Sequence, residues 1–227
     1  MFLYFHDPEN LKNFLGYCAT VTTVVQFLTG SLICRNYIKK KSTGETSALP
    51  FVSGLLSCSL WLRYGFLINE NSLILVNSIG AFLFALYCIT YFMFTVNKRR
   101  FLHQIALVLL MITFSIVYSR VELDDMKASK LIGLLCCSVG VFFFASPLIK
   151  LRHVVMTKNT EVLPFPIILT SFFVTLQWYI YGYLLGDSFI QIPNFLGCIL
   201  SAIQLTLFVI YPSKSDIRYK PLSSIDF

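Results

Sequence analysis

The chain has 227 residues, of which 56% are hydrophobic and only 13% charged, with a formal net charge of +7, and its mean hydropathy is +0.73. Charged residues stand at about half the share usual in soluble domains, which excludes a soluble globular protein. The positive charge sits in short clusters between apolar stretches, which excludes nucleic acid as a partner and leaves the lipid bilayer.

The N-terminal stretch MFLYFHDPEN lacks the basic region of a cleavable signal peptide, so the first span is expected to stay in the protein. A hydrocarbon core of ~30 Å needs about 20 apolar residues as helix. Seven segments qualify: about 12–34, 50–69, 73–96, 101–119, 130–152, 164–186 and 189–211. Their connections are short, so neighbours run antiparallel. The seven cysteines include no CxxC pair and fall in or beside these spans, which reads as free packing residues and not as a disulfide framework or zinc site. His6, His103 and His153 show no metal spacing.

The loops set an orientation. Arg35, Lys39, Lys40 and Lys41 lie in the first loop, Lys98, Arg99 and Arg100 in the third, and Lys150, Arg152 and Lys158 in the fifth. Lys214, Arg218 and Lys220 follow in the tail, on the same side. The other side mixes four basic residues with Asp7, Glu9, Glu70, Glu122, Asp124, Asp125 and Asp187. The positive-inside rule then places the N-terminus outside and the C-terminus in the cytosol. Arg63 is the one charge well inside a span. It lies about five residues from the outer end and is expected to snorkel to the surface.

Two stretches share a skeleton. WLRYGFLINENSLILVNSIG begins at Trp61 and WYIYGYLLGDSFIQIPNFLG at Trp178. Trp61, Tyr64, Gly65, Asn77 and Gly80 recur 117 positions later as Trp178, Tyr181, Gly182, Asn194 and Gly197. Residue types this uncommon, matched at one offset, indicate an internal duplication. The fourth segment has no counterpart. The expected fold is therefore an all-α membrane protein with seven transmembrane helices, arranged as two parallel three-helix repeats joined by a linker helix. The expected units are 12–96, the linker 101–119, 130–211, and a cytosolic tail 212–227. Leu49-Pro50-Phe51 and Leu163-Pro164-Phe165 open the second helix of each repeat, offset by 114, so the first repeat carries three extra loop residues. Gly30 and Pro147 return to the 117 offset.

Trp61 lies eleven residues beyond Pro50, roughly 16 Å along a helix and so near mid-membrane, where an interfacial tryptophan does not belong. Asn77 and Asn194 carry amides that must face protein or water, because an unpaired amide in lipid costs several kcal/mol. The plain alternatives are interhelical glue for the asparagines and core packing for the tryptophans. The matched pairs favour a pocket. Pro147 lacks an N–H and should kink the fifth helix by freeing the Phe143 carbonyl. No Asp or Glu lies in the interior of any span, so nothing there offers a proton or sodium site.

Seven spans as three, one and three, LPF at the second and sixth, the Trp-x-x-Tyr-Gly element and the paired asparagines together resemble the SWEET (MtN3/saliva-type) family of sugar transporters, in an animal-like form. The resemblance covers roughly 12–212. It implies facilitative, bidirectional, uncoupled movement of a sugar by alternating access, with no cofactor and no enzymatic step. It implies a sugar site lined by Asn77, Asn194, Trp61 and Trp178, and pivots at Pro50, Pro147 and Pro164. The fourth family proline falls on Gly30. A tryptophan at 61, where other members carry smaller residues, favours a monosaccharide such as glucose. The expected location is the plasma membrane, with Golgi or endosomal membranes as alternatives, and assembly with further copies of the chain is left open. Because a proline breaks the helix ladder permanently and glycine does not, the fifth helix is expected to carry a standing kink near Pro147. The first should be straighter at Gly30 and tolerate Gly30→Pro. Two other readings compete: a non-transporting escort protein, and a PQ-loop amino-acid exporter, against which the absence of a Pro-Gln dipeptide argues. Tyr219-Lys-Pro-Leu222 matches a tyrosine-based sorting signal, a pattern that arises often by chance.

Overall fold

The computed structural model describes residues 8–211, so His6, the Tyr219–Leu222 stretch and the expected tail lie outside the described residues. Eight helices follow one another: α1 Pro8–Lys40, α2 Leu49–Leu67, α3 Asn71–Phe94, α4 Lys98–Val121, α5 Asp125–Phe143, α6 Ala145–Thr157, α7 Phe165–Leu185 and α8 Ser188–Ile210. No strand occurs among the described residues. The segments α5 and α6 together form the fifth of the seven spans. Six spans are long and apolar enough to cross a membrane by length and composition alone. The one that falls short is α2, which carries Arg63. Its 19 residues rise ~28 Å, still enough for a bilayer core. It can be less apolar because it packs against α3, α4 and α5 and leaves little surface for lipid.

Within the first repeat, α3 touches both α1 and α2 and lies between them. Within the second, α8 likewise lies between α5 and α7. The glycines of the shared skeleton allow these approaches. A Cβ on Gly80 would sit 2.6 Å from Cys58 Sγ and from the Phe27 ring, and one on Gly65 would crowd Leu73 and Ile74. The loop after the first helix of each repeat is pinned to the end of the third. Thr43 N–H donates to the Phe94 carbonyl at 3.2 Å, and Thr160 Oγ1 donates to the Tyr211 carbonyl at 3.1 Å. Both pairs keep the 117 offset, so the three extra residues of the first repeat fall between Thr43 and Pro50. The two repeats meet along two seams, α1 against α7 and α2 against α5, while α4 packs on α2 and α5.

The prolines differ in what they interrupt. Pro50 stands in the first turn of α2 and Pro164 is the N-cap of α7. At both positions a missing N–H is harmless. Pro147 lies inside the fifth span and leaves the Phe143 carbonyl without its helical donor. The span breaks there: α5 ends at Phe143, and Phe144 N–H reaches back to the Val141 carbonyl at 3.0 Å in a tighter turn. By contrast, α1 runs unbroken through Gly30.

Arg63 is half-exposed near the end of α2, and its Nε and Nη2 donate to the hydroxyl and carbonyl of Ser119, tying α2 to the last turn of α4. One expectation needs correction: the glycine at 30 is not an open place for a proline. A Cβ there would fall 2.4 Å from the ring of Tyr87, which is buried and packed against Phe51 and Phe84.

Candidate functional site

Four residues singled out by the repeat line one cavity of about 240 Å³: Trp61 from α2, Asn77 from α3, Trp178 from α7 and Asn194 from α8. Each repeat supplies one Trp and one Asn. The two asparagines are held alike. Asn77 Nδ2 donates to the Leu73 carbonyl at 2.9 Å and Asn194 Nδ2 to the Ile190 carbonyl at 2.7 Å. Each bond goes back one turn and uses one of the amide's two N–H groups. The second N–H and the Oδ1 of each have no partner among the described residues, so each amide can still donate to and accept from a ligand.

The tryptophans are packed alike but bonded differently. Trp61 stands edge-on to Tyr64 with ring centroids 5.7 Å apart, and Trp178 edge-on to Tyr181 at 5.3 Å. Trp178 donates its indole N–H across the seam to Thr23 Oγ1 of α1 at 2.9 Å. Gly140 stands at the position equivalent to Thr23, and the Trp61 N–H has no partner among the described residues. The remaining walls are mostly apolar, from Val76, Phe143, Phe144 and Pro193, with Thr23 and Thr175 adding hydroxyls. None of the lining side chains is ionisable. The cavity therefore suits a neutral molecule with hydroxyls and flat C–H faces. Amides pair with the hydroxyls and indoles stack on the faces.

At the end that carries the acidic loops two ties cross between the repeats, and the cavity of about 520 Å³ there, lined in part by Tyr64 and Asp187, shares no lining residue with the central one. Tyr64 Oη donates to Asp187 Oδ2 at 2.6 Å, and Tyr181 Oη donates to Glu70 Oε2. Tyr64 and Tyr181 are repeat partners, and so are Glu70 and Asp187. Each tyrosine thus crosses to the acid that precedes the third helix of the other repeat. Asp187 Oδ1 also caps α8 through Phe189 N and Ile190 N. Glu70 gives no such cap to α3 and instead binds Lys12 at 3.1 Å.

Toward the basic end the interior stays hollow. One cavity of about 350 Å³ is lined in part by Pro147 and Pro164, and another of about 490 Å³ by Gly30 and Pro50. Both share Gln26 and Phe143, themselves repeat partners, and both share lining residues with the central cavity. The four residues expected as pivots therefore line these two cavities, and none touches the central one.

Some lining residues escaped the sequence reading. Thr23 has Gly140 as its counterpart and Pro193 has Val76, so neither forms a matched pair. Pro193 stands inside α8 one residue before Asn194 and deprives the Phe189 carbonyl of its helical donor. The Cys137 thiol of α5 fills that place at 3.2 Å. The tyrosine–acid ties could have been found, because the acids obey the same offset as the rest of the skeleton.

Comparison with known proteins agrees with the repeat and the fold. A family model described as "Sugar efflux transporter for intercellular exchange" matches twice, over residues 13–99 and 130–216, displaced by the same 117 residues. The chain is 54% identical over 203 residues to a protein named "Sugar transporter SWEET1" of Drosophila pseudoobscura pseudoobscura, covering 88% of this chain and 90% of that one. It is 32% identical over 213 residues to a protein of the same name from Mus musculus, covering 93% and 96%. Its fold superposes on a solved structure of a eukaryotic SWEET transporter with a TM-score of 0.80 at 26% identity, covering 88% of this chain and 98% of the other.

Proposed function

This chain belongs to the SWEET family of membrane sugar transporters, and from that membership we propose that it is a uniporter that carries a monosaccharide, glucose foremost, in either direction down its gradient. The single observation that carries the proposal is the convergence of Trp61, Asn77, Trp178 and Asn194 on one small cavity between the repeats. The lining offers amides and indoles and no charge. A hexose is neutral and needs both kinds of group. Without an acid or histidine in the lining, binding would have no coupled proton or sodium ion to wait for.

Two features of the interior support alternating access. The acidic end is tied by Tyr64–Asp187 and Tyr181–Glu70, and the basic end is hollow. With the basic loops in the cytosol, this is a state open inward. The units 12–96 and 130–211 would move against each other, with α4, the linker over 101–119, riding on the first. Of the four positions flanking the inner path, Pro147 is best placed to bend a span, because it alone already interrupts a helix ladder. The plasma membrane is the location that suits such a carrier, and the cytosolic side would hold the tail 212–227.

The test is uptake of radiolabelled D-glucose by proteoliposomes that contain this chain alone. Uptake should saturate, show exchange when the lumen is preloaded with unlabelled glucose, and ignore an imposed proton or sodium gradient. Stimulation by either gradient would overturn the uniporter reading, and absence of any uptake would favour an escort role.

A further inference from the structure

The 117-residue relation also pairs positions across the two seams, and there the repeats diverge. Along α1 and α7 three polar bridges stand in a row. Thr22 Oγ1 donates to Gln177 Oε1 at 2.6 Å, Trp178 Nε1 donates to Thr23 Oγ1 at 2.9 Å, and Gln26 Nε2 donates to Ser171 Oγ at 2.8 Å. At the matching positions of α5 and α2 stand Val139 and Leu60, Gly140 and Trp61, Phe143 and Gly54. Not one of these pairs can form a side-chain hydrogen bond. One seam is latched and the other is smooth.

The middle pair touches the sugar cavity. Thr23 donates its own proton to the Ala19 carbonyl at 2.6 Å, so its oxygen is left to accept from Trp178. That indole is buried and its only polar group is spent. The bridges one residue before and three residues after Thr23 hold α1 and α7 in register, so the Thr23–Trp178 bond persists while the seam holds. Trp61 is half-buried in the same cavity. Gly140 offers it no hydroxyl, and its N–H remains available.

We propose that Thr23 is a positioning residue that fixes Trp178 as a rigid stacking wall, and that the unpinned Trp61 donates its indole N–H to one hydroxyl of the sugar. The duplicated tryptophans thus have different tasks. Trp178 presents only a ring face, which any pyranose C–H face can meet. Trp61 presents a directional donor, which discriminates among hydroxyl positions. The inference rests on the reading of this cavity as the sugar site.

The chain has only two tryptophans, so Trp61→Phe and Trp178→Phe each leave one fluorescent reporter in the full-length protein. D-glucose should change the emission of both reporters. If it changes neither, the sugar-site reading itself is wrong. Given a response, Thr23→Val should shift the emission of Trp178 in the Trp61→Phe background. With both tryptophans present it should raise the KM for D-glucose about fivefold, the factor that one ordinary hydrogen bond gives, with Vmax within about twofold. Thr23→Ser should restore both. The reciprocal test is at Gly140, where an added Cβ would meet only Pro193 Cβ, at 3.5 Å. Gly140→Ala and Gly140→Ser differ by one hydroxyl, and the serine variant should have the higher KM because it engages Trp61. Finally, the KM penalty of Trp61→Phe should vanish for one monodeoxyglucose of a series, while that of Trp178→Phe should be the same for all. Sugar-responsive emission combined with a wild-type KM in Thr23→Val would overturn the proposal. So would a Trp61→Phe penalty that is uniform across the series.

Discussion

Tyr64 of the first repeat donates its phenol proton to Asp187 of the second at 2.6 Å, and the same relation recurs in reverse between Tyr181 and Glu70. A duplicated chain has therefore produced a pair of crossed ties at one end of the path. Each joins a neutral donor to a carboxylate, a class of bond that contributes roughly 1.5–3 kcal/mol. That is enough to shift an open-to-closed ratio tenfold or more. Tyr64→Phe or Tyr181→Phe should loosen this end. The readout is a cysteine placed in the central cavity as Val76→Cys, labelled by a membrane-impermeant maleimide added on the acidic side. Labelling should speed up about tenfold in either tyrosine variant. Unchanged labelling would mean that the closure lies elsewhere.

Asn77→Ala and Asn194→Ala should each lower D-glucose uptake at least tenfold while surface expression stays near wild type. Each change removes the unengaged donor and acceptor facing the cavity, about 1 kcal/mol per lost hydrogen bond and more if a sugar hydroxyl is left unpaired. The Nδ2 bonds to Leu73 and Ile190 stay within one helix, so their loss should not disturb packing between helices. Wild-type rates in both variants would sink the assignment.

What the sequence disclosed depended on repetition. Trp61 with Trp178, and Asn77 with Asn194, could be weighed as pairs, and each pair meets in the cavity. Thr23 is as close to the path but is matched by Gly140, and Pro193 is matched by Val76. A residue without a twin looks like any other polar or rigid residue in a span. Arg63 was legible only in part. Its distance from the helix end allowed snorkelling, but only tertiary structure brings the last turn of α4 within reach of its guanidinium. The break at Phe143 was legible because proline acts on its own helix. The obstacle at Gly30 was not, because Tyr87 arrives from α3, far away in sequence.

Orientation is open to direct labelling. An epitope inserted in the loop at 122–124 should be accessible on intact cells, and one inserted at 158–161 only after permeabilisation. The first loop joins α4 to α5 at the acidic end, and the second joins α6 to α7 beside Lys150, Arg152 and Lys158. Accessibility in the reverse sense would invert the topology and make the hollow side the outward one.

Gly30 and Pro147 occupy equivalent places in the two repeats, yet they do different physical work. Pro147 leaves the Phe143 carbonyl without a helical donor, and the span is already interrupted beside it. Pro147→Ala would return that N–H, lengthen the ladder and stiffen the span. Initial D-glucose uptake at saturation, corrected for surface protein, should fall about tenfold. At Gly30 the ladder is intact, and the glycine is needed for space. The Tyr87 ring lies 2.4 Å from where a Cβ would stand, and the Tyr87 hydroxyl donates to the Phe27 carbonyl of the same helix at 3.1 Å. Any side chain at 30, proline included, must push that buried ring away. Overpacking of this kind typically costs 1–3 kcal/mol. Gly30→Ala and Gly30→Pro should therefore both lower the thermal midpoint in detergent. A smaller partner, Tyr87→Ala, should rescue Gly30→Ala, because the clash goes with the ring. It should not fully rescue Gly30→Pro, which also removes a helix hydrogen bond. If Gly30→Pro alone matched the wild type in both uptake and midpoint, the position would be a tolerant pivot, and Tyr87 would have to move freely.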